Sequence, residues 1–265
     1  MRRQQSTEQG PLLILYRISA DSTDPRHLHV VMSVCMMAGT PPDNFFLPVA
    51  KCSGAAMDEF SRLHILKSNN QISWLQTILR NVKTSHGDFV FNADRLIRLV
   101  IEEALNFLPT HDKTVHTPKG VPYEGKAFNK GNCGVSLVRS GEAMEKSLRE
   151  CCRSIRIGKM LIRHDDDDSS KPPKVIYVRL PPDIAERNVL LMYPLMNTGG
   201  TIHQSIRELK KNDVKEERII ICTLFVTPDS VRHICSDFPK VRILTTEVNE
   251  DCALHFGERY FGTDK

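Results

Sequence analysis

The chain has 265 residues, 40% apolar and 26% charged, an ordinary balance for one large globular domain with a buried core. Its 36 Lys and Arg against 32 Asp and Glu leave a net charge of only +4, which excludes nucleic-acid binding driven by bulk charge.

Leu12–Tyr16, behind Arg2 and Arg3, is shorter than a usual secretion-signal core, and no small-residue cleavage site follows. The apolar run from Val30 to Ala38 falls well below the ~20 residues that cross a bilayer. The chain is therefore expected inside the cell, without a membrane partner. Residues 1–60 carry scattered polar residues, a Gly39–Thr40–Pro41–Pro42 break and no sustained period, and are expected to form a variable, poorly ordered leader. Residues 61–265 are expected to form the folded domain.

A first periodic segment runs from Ser61 to Val82, with Leu63, Ile65, Leu66, Ile72, Leu75, Ile78 and Leu79 on an apolar face interrupted at Ser68–Asn70. A helix is predicted from Asp94, its candidate N-cap, to Pro109. Gly134–Val138 reads as a strand, Gly141–Arg153 as a helix, and Ile157–Ile162 and Val175–Val178 as strands. Val189–Met192 reads as a buried strand, Thr201–Lys211 as an amphipathic helix and Ile219–Val226 as a long apolar strand. Asp229–Phe238 is a short helix and Val241–Thr245 a last strand. Apolar strands alternating with helices predict an α/β fold with a mostly parallel sheet covered on both faces.

Eight cysteines form no C-x-x-C pair, so neither a zinc knuckle nor a thioredoxin-type redox pair is supported, and Cys133 and Cys222 read as small buried hydrophobes. His164 with Asp165–Asp168 invites a metal reading. A solvated hairpin tip between two strands is the favoured one, because like charges repel. No G-x-x-x-x-G-K-[ST] occurs, which excludes a P-loop kinase.

The sharpest local signal is the strand Val189–Met192 followed by Tyr193–Pro194–Leu195–Met196–Asn197, then Thr198–Gly199–Gly200–Thr201 at a helix start. Two glycines let the backbone approach an anion, and the amides, two hydroxyls and the helix dipole can hold a phosphate. A plain Gly-Gly turn is the competing reading. This loop resembles the ribosyl-phosphate loop of type I phosphoribosyltransferases. Residues from about 62 onward resemble the uracil phosphoribosyltransferase family, and within it the animal homologues. The matching segments are Ala93–Arg98, Cys133–Glu142, Arg156–Lys159, Leu180–Ile184 and Tyr260–Thr263.

The resemblance implies a type I phosphoribosyltransferase-like fold, a mostly parallel twisted sheet flanked by helices, with a β-hairpin extension. It implies transfer of uracil, or another nucleobase, onto 5-phosphoribosyl-1-diphosphate with Mg2+, giving UMP in pyrimidine salvage. Expected locations are the cytoplasm and, second, the nucleus; a homo-oligomer, dimer or tetramer, is expected. Arg139, Arg156 and Arg187 are implied as diphosphate ligands, with Tyr193–Thr201 and His255 completing the sugar-diphosphate site. Leu254, His255 and Phe256 would occupy the uracil site, with His255 either a donor there or a plain surface histidine. GTP, an allosteric ligand of relatives, would meet His86, Arg95 and Asn129–Lys130–Gly131–Asn132, unless Arg95 only pairs with Glu102 or another nearby acid. No residue is implied as a catalytic acid or base.

Two departures from the family pattern set the activity question. Tyr193–Pro194–Leu195 stands where the family has Asp-Pro-Met, and a phenol with an ordinary pKa of ~10 is no anion at neutral pH. The C-terminal base loop, Ala253–Thr263, is shorter and lacks the family's Pro-Gly and aspartates. The expectation is impaired uracil transfer; the alternative is a non-catalytic, nucleotide- or GTP-binding regulatory relative.

Overall fold

The computed structural model describes residues 14–18, 30–34, 61–164, 173–252 and 254–263. Within the first 60 residues the described ones are β1 (Ile14–Ile18) and β2 (Val30–Val34), an antiparallel pair in which Ile14 faces Val34. The rest of the expected leader lies outside the described residues.

The second unit, from Cys52 to the C-terminus, is an α/β domain. It opens with β3 (Leu63–Ile65), α1 (Asn70–Arg80) and α2 (His86–Leu105). Asn69 caps α1 by accepting from the Ile72 amide at 2.9 Å. The periodic segment read over Ser61–Val82 thus divides at its Ser68–Asn70 interruption: Leu63 and Ile65 belong to a sheet strand, and Ile72, Leu75, Ile78 and Leu79 to α1. Ser85, accepting from the Asp88 amide at 3.2 Å, caps α2. The predicted cap Asp94 instead lies two turns inside, where Tyr260 Oη donates to it at 2.6 Å and Lys146 Nζ at 3.0 Å. Gly87 and the polar first turn concealed the true start.

A hairpin of β4 (Thr110–His116) and β5 (Pro122–Phe128) follows, a β-hairpin extension of the kind the resemblance implies; the residue pattern itself does not mark it, because β4 is exposed along its whole length and carries no alternation. Next come β6 (Asn132–Val138), α3 (Ala143–Cys151), β7 (Arg156–Arg163) and β8 (Lys174–Arg179). β7 and β8 run antiparallel on either side of the aspartate run, which lies outside the described residues. The chain continues through β9 (Asn188–Met192), β10 (Leu195–Met196), α4 (Gly200–Lys211), β11 (Ile219–Cys222) and β12 (Phe225–Val226). It closes with α5 (Pro228–Asp237), β13 (Arg242–Thr245), β14 (Glu247–Val248) and α6 (Phe256–Phe261).

The main sheet has the order β3-β13-β11-β9-β6-β7-β8, parallel except for edge strand β8. Its central strands are apolar throughout because both faces are covered. Val189, Leu191, Ile219 and Ile221 pack on one face with Ile202 and Ile206 of α4 and Val231 and Ile234 of α5. Leu190, Met192, Ile220 and Cys222 pack on the other with α1, α2, α3 and Phe256 of α6. Each such fully buried large side chain contributes roughly 1.5–3 kcal/mol. The single strand predicted over Ile219–Val226 is two. After Cys222 the chain leaves the main sheet beside Tyr193–Pro194, where Pro194 has no amide to donate. Thr223 and Leu224 turn toward the Pro194 carbonyl at 3.2 and 2.9 Å, and β12 enters a small parallel sheet, β10-β12-β14. Cys133 and Cys222 are buried, and burial pushes both thiols up to about 12. No described helix is long and apolar enough to cross a membrane.

Candidate functional site

In an open parallel sheet, ligands meet the crevice at the carboxyl ends of the strands. Here that edge is formed by the segments leaving β6, β7 and β9. Buried Val189–Met192 drives β9 into the core and delivers Tyr193 at its end. Gly199 adopts φ +77°, a left-handed conformation that permits the tight entry into α4. Thr227 Oγ1 donates to the Asn197 carbonyl and so ties the loop to the start of α5. His164, just past β7, places its ring Nε2 3.0 Å from Thr201 Oγ1. The Thr198–Thr201 turn thus stands at a helix N-terminus on the ligand edge of the sheet, with exposed Thr198 and a ring nitrogen beside it.

Tyr193 is partly buried; burial holds its phenol above its ordinary range, partly offset by a side-chain hydrogen bond with Thr201. It carries no charge at neutral pH and uses its hydroxyl on the loop itself.

A cleft of about 220 Å³ joins Arg139, Tyr193, Leu195, His255, Phe256 and Glu258. Sequence positions far apart thus converge: the arginine after β6, the loop after β9 and the C-terminal segment. Arg139 is exposed, and no acid among the described residues pairs with it. Gly141 makes its loop possible, because a Cβ there would collide with the Met192 carbonyl at the end of β9. Gly257 likewise lets α6 approach the Ser140 hydroxyl. Leu254 and Phe256 are buried members of the core; Phe256 stacks on Tyr260 at 5.5 Å. His255 is exposed, with φ 45° and Nδ1 3.3 Å from Glu258. Of the three implied uracil-site residues, His255 is the one whose side chain is free to face solvent or ligand.

The other two predicted diphosphate arginines are elsewhere. Arg156 is the first residue of β7 and pairs with Cys133; Arg187 immediately precedes β9. Both stand at the amino ends of the strands, about 20 Å along a seven-residue strand from the Arg139 end. Asp183 engages them: Arg187 Nε donates at 2.7 Å and Nη2 at 2.5 Å, and Arg156 Nη1 at 3.2 Å. Arg187 also donates to the Asn132 carbonyl at 3.2 Å, bracing the start of β6. Its bidentate grip holds the Asp183 carboxyl down at about 2. Arg163, the last residue of β7, is exposed at the ligand edge next to His164. The sequence reading passes over Arg163 and takes His164 only with the aspartate run; the available signal was strand polarity, which points to the end of a parallel strand.

His86 and Arg95 are nine residues apart on α2, which at ~100° per residue puts them on opposite sides. His86 Nε2 lies 3.2 Å from the Tyr260 carbonyl oxygen. Arg95 lies over Trp74 at 5.4 Å and Phe91 at 5.8 Å and does not pair with Glu102. Asn129, Lys130 and Gly131 form the β5–β6 loop and Asn132 opens β6; the His111 ring meets Asn129 at 2.7 Å. No described hydrogen bond or ion pair joins these three groups.

Magnesium takes carboxylate and phosphate oxygens. The cleft lining contains one carboxylate among the described residues, Glu258, while the loop after β9 offers a phenol, a proline and a leucine. This donor set does not fit a protein-held magnesium ion.

A family model described as uracil phosphoribosyltransferase matches residues 66–263. A uracil phosphoribosyltransferase homolog of Danio rerio is 55% identical over 203 residues, covering 77% of this chain and 78% of that protein. A uracil phosphoribosyltransferase of Dictyostelium discoideum is 44% identical over 209 residues, covering 76% of this chain and 96% of that protein. Among solved structures, the AQ2163 protein from Aquifex aeolicus matches with a TM-score of 0.66 at 20% identity, over 76% of this chain and 99% of its own, a likeness of fold.

Proposed function

The chain belongs to the uracil phosphoribosyltransferase family, and on that premise we propose that it binds 5-phosphoribosyl-1-diphosphate in this cleft but transfers uracil poorly. The 5-phosphate sits on the Thr198–Thr201 amides at the head of α4, and Arg139 with Arg163 faces the diphosphate. Leu195 flanks the base, with His255 and Glu258 at its rim. Magnesium, in this reading, travels on the diphosphate and is not gripped by the protein.

The observation that carries the impairment is Tyr193. Phosphoribosyl transfer develops positive charge at the sugar, and fixed negative charge nearby stabilises it. A partly buried, neutral phenol bonded to Thr201 supplies none. Losing one preorganised electrostatic contact of this kind costs on the order of 10²–10³ in kcat. His86 and Arg95 face opposite sides of α2, so the reading does not carry the family's GTP site onto one copy of this chain.

The test is UMP formation by purified protein from uracil and 5-phosphoribosyl-1-diphosphate with magnesium, with and without GTP. The expected rate is well below about one turnover per second, rising in Tyr193→Asp together with affinity for the sugar diphosphate. Ordinary turnover by the natural sequence would overturn the proposal. An unchanged Tyr193→Asp variant would move the defect to the short C-terminal loop.

A further inference from the structure

Outside the cleft, one cluster of ligand-type side chains has a chemistry that the phosphoribosyl reading does not use. His203 lies on α4, and His233 and Asp237 lie on α5. One ligand atom from each lies within 4.8 Å of the other two. His233 and Asp237 are four residues apart, so they project from the same helix face. The neighbouring helix supplies the third group. His203 Nε2 is already 2.7 Å from Asp237 Oδ2.

The rings are held, not loose. His203 stacks on His233 with centroids 4.9 Å apart and touches Phe238 at 4.9 Å. His233 Nδ1 lies 3.1 Å from the Thr198 carbonyl oxygen. A carbonyl only accepts, so Nδ1 carries a proton, and in the neutral ring the lone pair is then on Nε2. This is the arrangement in which a backbone carbonyl fixes the tautomer of a metal-ligating histidine. Asp237 is exposed and turns a carboxylate oxygen into the cluster.

We propose that His203, His233 and Asp237 form a surface site for a divalent transition-metal ion of the zinc class, clamping α4 to α5. Two imidazoles and one carboxylate suit zinc better than magnesium or calcium, which prefer all-oxygen sets. At Zn–N distances of ~2.0–2.1 Å, tetrahedral ligands stand about 3.3 Å apart. The metal therefore replaces the shared proton between His203 and Asp237, opens that pair by a few tenths of an ångström and draws His233 inward. Water takes the fourth position, because His233 and Asp237 are exposed. Through the Thr198 carbonyl, the clamp reaches the loop that precedes α4. Burial pushes the thiols of Cys133 and Cys222 up to about 12 and that of Cys252 up to about 11, which weakens these three as competitors for the ion.

The test is titration of the reduced full chain with Zn2+ by calorimetry at pH 7.5, and with Co2+ by visible absorption. The expected result is one site per chain with a micromolar dissociation constant. The cobalt spectrum should carry ligand-field bands without a sulfur charge-transfer band. His203→Ala, His233→Ala and Asp237→Asn should each weaken binding at least tenfold, while His116→Ala, remote on β4, should not. Melting in EDTA checks that each variant is folded, and near-isosteric Asp237→Asn keeps the test decisive if an alanine variant unfolds. Absence of saturable binding up to millimolar metal would mean an ion pair only and overturn the site. A sulfur charge-transfer band, or affinity unchanged in the three variants, would overturn it as well.

Discussion

Adjacent glycines at the phosphate loop should respond oppositely to the same methyl group. Gly199 sits at φ +77°, in the left-handed region, and a Cβ there would meet the Ser230 carbonyl oxygen at 3.4 Å and His233 Nδ1 at 3.6 Å. An L-residue held in that conformation costs roughly 1–2 kcal/mol, and the contacts leave little room for relief. For a folded unit near 200 residues, each kcal/mol lowers Tm by about 2–4 °C. Gly199→Ala should therefore melt roughly 2–8 °C below the natural protein. Gly200 has no left-handed φ, and its Cβ would meet Pro173 and His164 only at 3.5 and 3.7 Å, ordinary contact distances. Gly200→Ala should melt within about 2 °C of the natural protein, since such substitutions usually stay within ±0.5 kcal/mol. The assay is a reversible thermal melt of the three proteins at matched concentration, with phosphate titrated into each. Gly200→Ala should keep stability but lose phosphate affinity, because the methyl narrows the backbone approach at the helix start. Equal destabilisation by both variants would refute the assignment of strain to Gly199 alone.

Three further outcomes follow from the site geometry. Arg139→Ala and Arg163→Ala should each weaken sugar-diphosphate binding about 10- to 100-fold, as expected for a lost charge-assisted contact, while Arg156→Ala should leave it unchanged; calorimetric titration separates them, and a loss in Arg156→Ala would reverse the strand-polarity argument. Asp183 has its carboxyl lowered from 3.8 to about 2 in the fold, so its contribution to stability is present above pH 4 and is lost as pH falls through 2. Asp183→Asn should thus be less stable than the natural protein at pH 7, with the gap closing by pH 2 in urea melts; a gap that does not change with pH would contradict the pairing with Arg187. Gly141→Ala should lose about 1–3 kcal/mol by overpacking against the Met192 carbonyl, measured by urea unfolding, and a neutral variant would mean that the Arg139 loop stands further from β9.

The central strands were legible in the sequence because burial on both sheet faces demands continuous apolar runs, and Val189–Met192 and Ile219–Cys222 meet that demand residue by residue. The Thr198–Thr201 turn was legible for a related reason: strand, paired glycines and helix follow one another locally, so their chemistry needs no distant partner. Elements without local contrast were not. The β4–β5 hairpin is exposed on both sides, and α2 begins in a polar turn with Gly87, so neither carries periodicity where it starts.

What the fold decided is which residues share an edge. Arg156, Arg163 and Arg187 are alike as sequence, cations beside strands; the direction of each strand sends Arg163 to the ligand edge and leaves the other two with Asp183 at the opposite end. The meeting of Arg139 with His255, and of His203 with His233 and Asp237, depends in the same way on long-range packing. A side chain's chemistry is written in the sequence, but its neighbours are set by how apolar faces stack, and that stacking joins residues more than a hundred positions apart, as Arg139 and His255 are in this cleft.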